Sequence, residues 1–284
     1  MSRSPAGLTV EAEDYLKAIY ELSHGIVGAP RRSADGSAAG TRDAAGADGA
    51  GSPGGVDVPV GTTALAARLG VAAASVSGML RRLSKAGLVR AARYRGARLT
   101  PRGRAIALQL IRRHRVIETF LVTRLGYAWE EVHDEAERLE HAASAGLVDR
   151  MARDLGDPAS DPHGAPIPTA AGEVDERRFA TLASLEPGAS AQVQGMSGRD
   201  PALLRYLAGR GVRPGARVTV ESREPFEGPI ALLVGRKRVT MSPAAAANVW
   251  VTGAPASPAS ARPSRQLRRA PQPQRRSSEA RRNA

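Results

Sequence analysis

The chain contains no cysteine, which excludes disulfides and thiolate metal sites. Aromatic residues make up only 4% of its 284 residues, so Leu, Val, Ile and Ala must build the cores. No run of about 18 apolar residues occurs, so no membrane-spanning helix is expected. Residues 1–10 lack the apolar stretch of a signal peptide. A cysteine-free chain fits a reducing compartment, and the expected location is cytoplasmic. The length leaves room for two or three small domains.

The net charge is +13, which favours a polyanionic partner. Its placement weakens that inference. Residues 253–284 carry eight Arg against Glu279 and so supply +7, leaving +6 for the rest. Such a tail reads as a disordered, basic, non-specific electrostatic arm rather than a reader of sequence.

Residues 8–23 have helical apolar spacing, with Leu8, Ala12, Tyr15, Leu16, Ile19 and Leu22 on one side. Residues 25–58 then turn to Gly, Ala, Ser and Asp. They cannot bury a core and read as a disordered insertion. Short helices follow at 62–69 and 73–86, stopped by Gly70 and Gly87, then strands at 88–93 and 97–100. Pro101 opens a long helix to about Leu125, with Thr100 as its N-cap. Residues 129–155 are mostly helical, with a break near 144–146. Residues 157–180 read as a linker. Short apolar runs at 216–220, 231–234 and 239–241, punctuated by Gly and Pro, predict a small β-barrel interrupted by one helix at 201–209.

Residues 62–100 form one unit: helix, tight turn, helix, basic hairpin. Leu65, Leu69, Val76, Leu80, Leu83 and Leu88 supply its buried stripe. Ala72, Ala74 and Ser75 at the start of the second helix let a helix N-terminus approach DNA closely. Ser77, Arg81, Arg82 and Lys85 add polar and cationic contacts. Arg93, Arg95 and Arg98 make the hairpin a cationic wing for the phosphate backbone. Ala72, Ala74 and Gly78 cannot hydrogen-bond to bases through side chains, which leaves thymine-methyl contact and shape readout. The competing reading is a helical packing module with a solvated basic face.

A second constellation lies further on. His133, Glu137, Glu140 and His141 fall at i, i+4, i+7 and i+8, on one helical face. His114 and Glu118 repeat the i, i+4 spacing on the preceding helix. Glu13 and Asp14 sit near the start of the first helix. Oxygen and imidazole ligands without sulfur suit the harder divalent ions. Taken alone, such a pattern is as compatible with ion pairs on a solvated face. His24 and His163 fall in expected loops.

The segments EDYLKAIYEL (13–22), RRHRVIETFL (112–121), VHDEAERLEH (132–141) and DPHGAPIP (161–168) resemble the diphtheria toxin repressor family of metal-dependent regulators. The resemblance covers 8–23 and 59–251. It implies a mainly α fold with small β content. An N-terminal winged helix-turn-helix (1–100) would precede a helical dimerisation and metal-binding domain (101–156). A C-terminal SH3-like, FeoA-type β-barrel (181–252) would follow the linker. It maps a primary metal site onto Asp14, Glu137, Glu140 and His141, and an ancillary site onto His114, Glu118 and His133. Asp14 and Glu137 follow the manganese-sensing pattern, where iron sensors carry Met and Cys. Two departures stand out: Lys17 replaces a Glu ligand of some manganese sensors, and 194–200 lacks the Glu and Gln that cap the ancillary site in iron sensors.

The function implied is a homodimeric repressor that binds a palindromic double-stranded DNA operator when loaded with divalent metal, Mn(II) first and Fe(II) second. Without metal, Asp14, Glu137 and Glu140 are expected to repel one another and leave the first helix loosely held. A winged-helix regulator sensing a non-metal ligand is a rival. A metalloenzyme is another, but the sequence offers no nucleophile motif, second acid/base set or phosphate-binding Gly loop, so no enzymatic activity is expected.

Overall fold

The computed structural model describes residues 7–24, 58–92, 96–175 and 179–253. The insertion at 25–57, the wing-tip residues Arg93, Tyr94 and Arg95, and the tail from 254 lie outside the described residues.

Helix α1 (Val10–His24) is buried along most of its length. Helices α2 (Thr62–Leu69) and α3 (Ala73–Lys85) follow, with their axes bent 107° apart, the geometry of a helix-turn-helix. Gly70 stops α2 in the left-handed conformation at φ 66°, where a side chain would be strained. Strands β1 (Val89–Ala92) and β2 (Gly96–Leu99) pair antiparallel as the wing. Leu16, Ile19, Tyr20, Leu65, Val76, Leu80, Leu83 and Leu88 share one core with Leu108 and Ile111 of helix α4 (Pro101–Leu125). Each such side chain contributes about 1.5–3 kcal/mol by leaving water. The head therefore includes α1 and the first half of α4.

Thr100 caps α4 by accepting from the Gly103 amide, with Pro101 in the first turn, an arrangement worth about 1 kcal/mol. The second half of α4 packs on α5 (Val132–Glu140) and α6 (Ala145–Asp154) through Val116, Ile117, Leu121, Val132, Ala136, Val148 and Ala152. Helix α5 begins at Val132 rather than Trp129, because residues 129–131 form a turn. Ser144 ends the break before α6 by accepting from the Leu147 amide.

The last unit is a six-stranded antiparallel sheet: β3 (Ala180–Thr181), β4 (Ser190–Met196), β5 (Arg217–Arg223), β6 (Ile230–Val234), β7 (Lys237–Met241) and β8 (Val249–Gly253), ordered β3-β8-β4-β5-β6-β7. Bulges at 193–195 and 220–222 bend β4 and β5, which sharpens the local twist. Helix α7 (Pro201–Gly209) interrupts the sheet, and the short α8 (Pro243–Ala246) precedes β8. Val193, Leu204, Val218, Leu232 and Val251 fill the interior.

Two seams fix this sheet to the helices. Met196 donates to the His163 carbonyl at 2.9 Å. Beside it, a Cβ on Gly164 would sit 2.0 Å from the Gln194 oxygen, so this contact requires glycine. The other seam is ionic. Glu21 of α1 accepts from Arg199 of the loop after β4 at 2.6 Å and from Arg68 of α2 at 2.7 Å. One buried carboxylate thus ties sheet, first helix and reading head together.

Gly103 and Gly78 provide a matched test of these contacts. A Cβ on Gly103 would lie 2.0 Å from the Leu88 oxygen, whereas one on Gly78 meets nothing within 4 Å. Gly103→Ala should cost about 1–3 kcal/mol or more by overpacking against backbone. Gly78→Ala should stabilise by about 0.5–1 kcal/mol through helix propensity. Urea unfolding of both variants checks the opposite signs.

Candidate metal centre

The site is built where α1 crosses α4 and α5. The apolar side of α1 is committed to the reading head, and Glu13, Asp14 and Lys17 fall on the side facing the helical domain, where they meet His141, Glu137 and Glu140. From that domain, α4 brings His114 and Glu118. Helix α5 brings His133, Glu137 and Glu140, and His141 follows as its C-cap.

Asp14, Glu137, Glu140 and His141 converge, with one ligand atom from each within 4.8 Å of the others. His141 Nε2 is 3.2 Å from Asp14 Oδ1 and 3.5 Å from Glu140 Oε1. His114, Glu118 and His133 form a second group at the same spacing. There His114 Nε2 lies 2.9 Å from Glu118 Oε1 and 3.0 Å from His133 Nδ1. The structure thus brings all seven sequence-proposed ligands into two adjoining clusters. Converging carboxylate and imidazole donors without sulfur are a fitting set for a hard or borderline divalent ion.

Three further residues shape the site. Glu13 is fully buried, and its Oε2 accepts from His141 Nδ1 at 2.9 Å. That bond fixes the ring's orientation and leaves Nε2 aimed at Asp14 and Glu140, a carboxylate–histidine pairing of the kind that orients metal ligands. Lys17 is also buried. Its ammonium donates to both Glu140 oxygens at 2.9 and 3.0 Å and to Glu137 Oε1 at 2.9 Å. The expected repulsion among bare carboxylates is therefore corrected: Lys17 pairs with both Glu137 and Glu140, and Asp14 pairs with His141. His163, expected in an unremarkable loop, is buried; its Nε2 donates to the Trp129 carbonyl at 2.7 Å, and its Nδ1 is 3.7 Å from Glu118 Oε2. His24, also placed in a loop, is the last residue of α1. Spacing could not reveal Glu13 or Lys17, because their partners lie more than a hundred residues away in sequence.

The charges are mutually dependent. Hydrogen bonds to Asp14 and Glu13 push the His141 imidazole up to about 10. For His114, burial and Lys17 oppose protonation, but Glu118 and Glu140 outweigh them and raise it to about 10. Burial disfavours the Glu140 carboxylate, yet Lys17 and His114 hold it down to about 2.

The residues expected to face DNA lie on a separate surface. Ala72, Ala74, Ser75, Ser77, Arg81, Arg82 and Lys85 are exposed on α3 or its N-cap, and Arg98 is exposed on β2. Val76, Met79, Leu80 and Leu83 face inward. Arg93 and Arg95 lie outside the described residues.

Three family models match in order. They are the iron-dependent repressor N-terminal DNA-binding domain at 55–97, the iron-dependent repressor metal-binding and dimerisation domain at 100–169, and the FeoA domain at 180–253. The iron-dependent repressor IdeR of Mycobacterium tuberculosis is 35% identical over 193 residues, spanning 62% of this chain and 82% of IdeR. The chain belongs to the diphtheria toxin repressor family. As a family member it is a metal-dependent transcriptional repressor, with a winged DNA-binding head, a helical metal and dimerisation domain and a FeoA-type SH3-like barrel. The diphtheria toxin repressor of Corynebacterium diphtheriae is 38% identical over 104 residues, 37% of this chain and 46% of that protein. A manganese-dependent transcriptional repressor solved in complex with manganese is 36% identical, with a TM-score of 0.69, covering 86% of this chain and all of that one.

The raised His141 value can be checked in the metal-free protein. An NMR titration should find the ring charged across neutral pH and titrating near 10. Because the folded value exceeds the unfolded one, this ring stabilises the fold fully below about pH 6.5 and loses that contribution as pH rises through about 10. Asp14→Asn should lower the His141 midpoint, since Asp14 is the largest contributor.

Proposed function

We propose that this repressor is activated for operator binding by a divalent ion, Mn(II) before Fe(II), held by Asp14, Glu137, Glu140 and His141. His114, Glu118 and His133 form an ancillary site. The observation that carries the reading is the convergence of ligands from two modules: Asp14 sits on the helix that completes the reading head, and Glu137, Glu140 and His141 on the dimerisation side. When bound, the ion supplies positive charge to the carboxylates and bonds that join α1 to α5.

The residues then act through position. Glu13 holds His141 so that Nε2 faces inward. Leu16, Ile19 and Tyr20 transmit the setting of α1 to α2 and α3 through a shared core. In a homodimer, the two heads are held one DNA turn, or a multiple of it, apart and match a palindrome. Reciprocal linkage between ion and operator follows, at about 1–3 kcal/mol.

The all-oxygen-and-nitrogen ligand set favours Mn(II). The 35% identity to IdeR favours Fe(II) as the second reading. Operator affinity measured across Mn(II), Fe(II), Co(II) and Zn(II) separates them.

Asp14→Ala should abolish most metal-dependent operator binding and leave metal-free folding intact. Unchanged metal dependence in a DNA-binding titration would contradict the reading. Metal uptake must also displace the His141 proton. Because that ring titrates near 10, Mn(II) affinity should rise about tenfold per pH unit between pH 6 and 9. A pH-independent affinity by calorimetry would oppose it. Arg81→Ala should weaken DNA binding similarly on all sequences and reduce the salt slope by about one.

A further inference from the structure

Arg199 starts on the barrel and ends on the DNA-reading head. Its Nη2 donates to Glu21 Oε2 at 2.6 Å, and Nη2 of Arg68 donates to the same oxygen at 2.7 Å. Glu21 lies near the end of α1 and Arg68 near the end of α2. Gly70 closes α2 just after Arg68, and α3 departs with its axis bent 107° from that of α2. The Arg68 Nε is buried without a partner among the described residues, which leaves the Glu21 contact as the ionic anchor of this side chain.

Two guanidiniums on one oxygen repel each other, and the carboxylate between them is what lets both stay. The Glu21 side chain is 9% exposed, Arg68 16% and Arg199 23%, so water screens these charges poorly. The loop that carries Arg199 is held on both sides. The Ser197 amide donates to the Asn248 carbonyl at 3.0 Å. Gly198 lies flat on the His163 ring, where a Cβ would come within 2.6 Å of Nδ1. Asp200 caps α7 by accepting from the Ala202 and Leu203 amides at 2.9 and 3.1 Å. Arg199 is thus presented to Glu21 by a fixed backbone, unlike a mobile surface arginine whose ion pairs contribute little.

We propose that Arg199 is a positioning residue for DNA binding, acting through Glu21 and Arg68 to set the end of α2 and with it the presentation of α3. The barrel is then a brace on the reading head, by a route whose ionic contacts include none of the proposed metal ligands. This goes beyond the function proposed above and does not depend on which ion activates the protein.

The test measures operator affinity of the full-length protein, saturated with divalent metal, by fluorescence anisotropy for Arg199→Ala, Arg68→Ala and the double variant. Arg199→Ala should weaken binding about 2- to 30-fold, and Arg199→Lys, which keeps a cationic donor for Glu21, should recover part of the loss. In the Arg68→Ala background the same change should cost less than about twofold, because the residue it acts through is gone. The slope of log affinity against log salt should be unchanged, and so should metal uptake by equilibrium dialysis. An unchanged operator affinity in Arg199→Ala overturns the proposal. So does an equal loss in the Arg68→Ala background, or a salt slope smaller by about one, which assigns Arg199 to a DNA phosphate instead. Urea unfolding gives the folded fraction of each variant. A loss of affinity that vanishes once that fraction is allowed for leaves Arg199 a role in stability alone and overturns the proposal as well.

Discussion

The first helix has no face to spare. Leu16, Ile19 and Tyr20 on one side are interior residues of the DNA-reading head, and Glu13, Lys17 and Glu21 on the other are buried against the rest of the protein. Buried charges are costly unless paired, and here each finds an opposite charge. Lys17 meets Glu137 and Glu140, Glu13 meets His141, and Glu21 meets Arg68 and Arg199. Removing one partner of a buried pair typically costs about 3–5 kcal/mol, because the other charge is stranded. The register of α1 against α4 and α5 is thereby set by electrostatics as strictly as its register against α2 and α3 is set by packing. Any change in the polar seam has to be felt in the head.

That arrangement changes what a divalent ion has to accomplish. Lys17 already ties the helix to Glu137 and Glu140 of α5, and His141 ties it through Glu13 and Asp14. An ion held by Asp14, Glu140 and His141, as proposed, would compete with protons on His141 and would join α1 to α5 by bonds that an imidazolium cannot make. The Arg199–Glu21–Arg68 chain extends the same logic to the barrel, whose loop reaches the carboxylate that also holds α2. The barrel is connected to the reading head directly as well as through the helical domain.

Much of the fold was legible because it rests on local rules. Thr100 with Pro101 announced the start of α4, Gly70 the end of α2, and the apolar spacing from Leu65 to Leu88 the head's core. Six of the seven proposed ligand positions, His114, Glu118, His133, Glu137, Glu140 and His141, followed from helical spacing, whereas the part given to Asp14 on α1 came from the family resemblance. Local rules failed where the determinant was distant. Lys17 has the sequence context of an ordinary helix-surface lysine, and its partners sit 120 and 123 residues away. Glu13 was noticed beside Asp14, but its role depends on His141, 128 residues on. His163 looked like a loop residue because burial of its loop depends on the glycines of β4 and the following turn, where Gly195 and Gly198 admit it closely. The turn before α5 moved its start from Trp129 to Val132, since Trp129 packs toward the barrel interior instead of continuing a helix.

The central claim is that one divalent ion joins the head-bearing helix to the dimerisation helices through Asp14, Glu140 and His141. Anomalous diffraction at the manganese edge, on crystals grown with Mn(II), tests it most directly. The account predicts an anomalous peak at bonding distance from Asp14, Glu140 and His141 Nε2. Asp14 turned to solvent, with manganese absent from the space between α1 and α5, would contradict it.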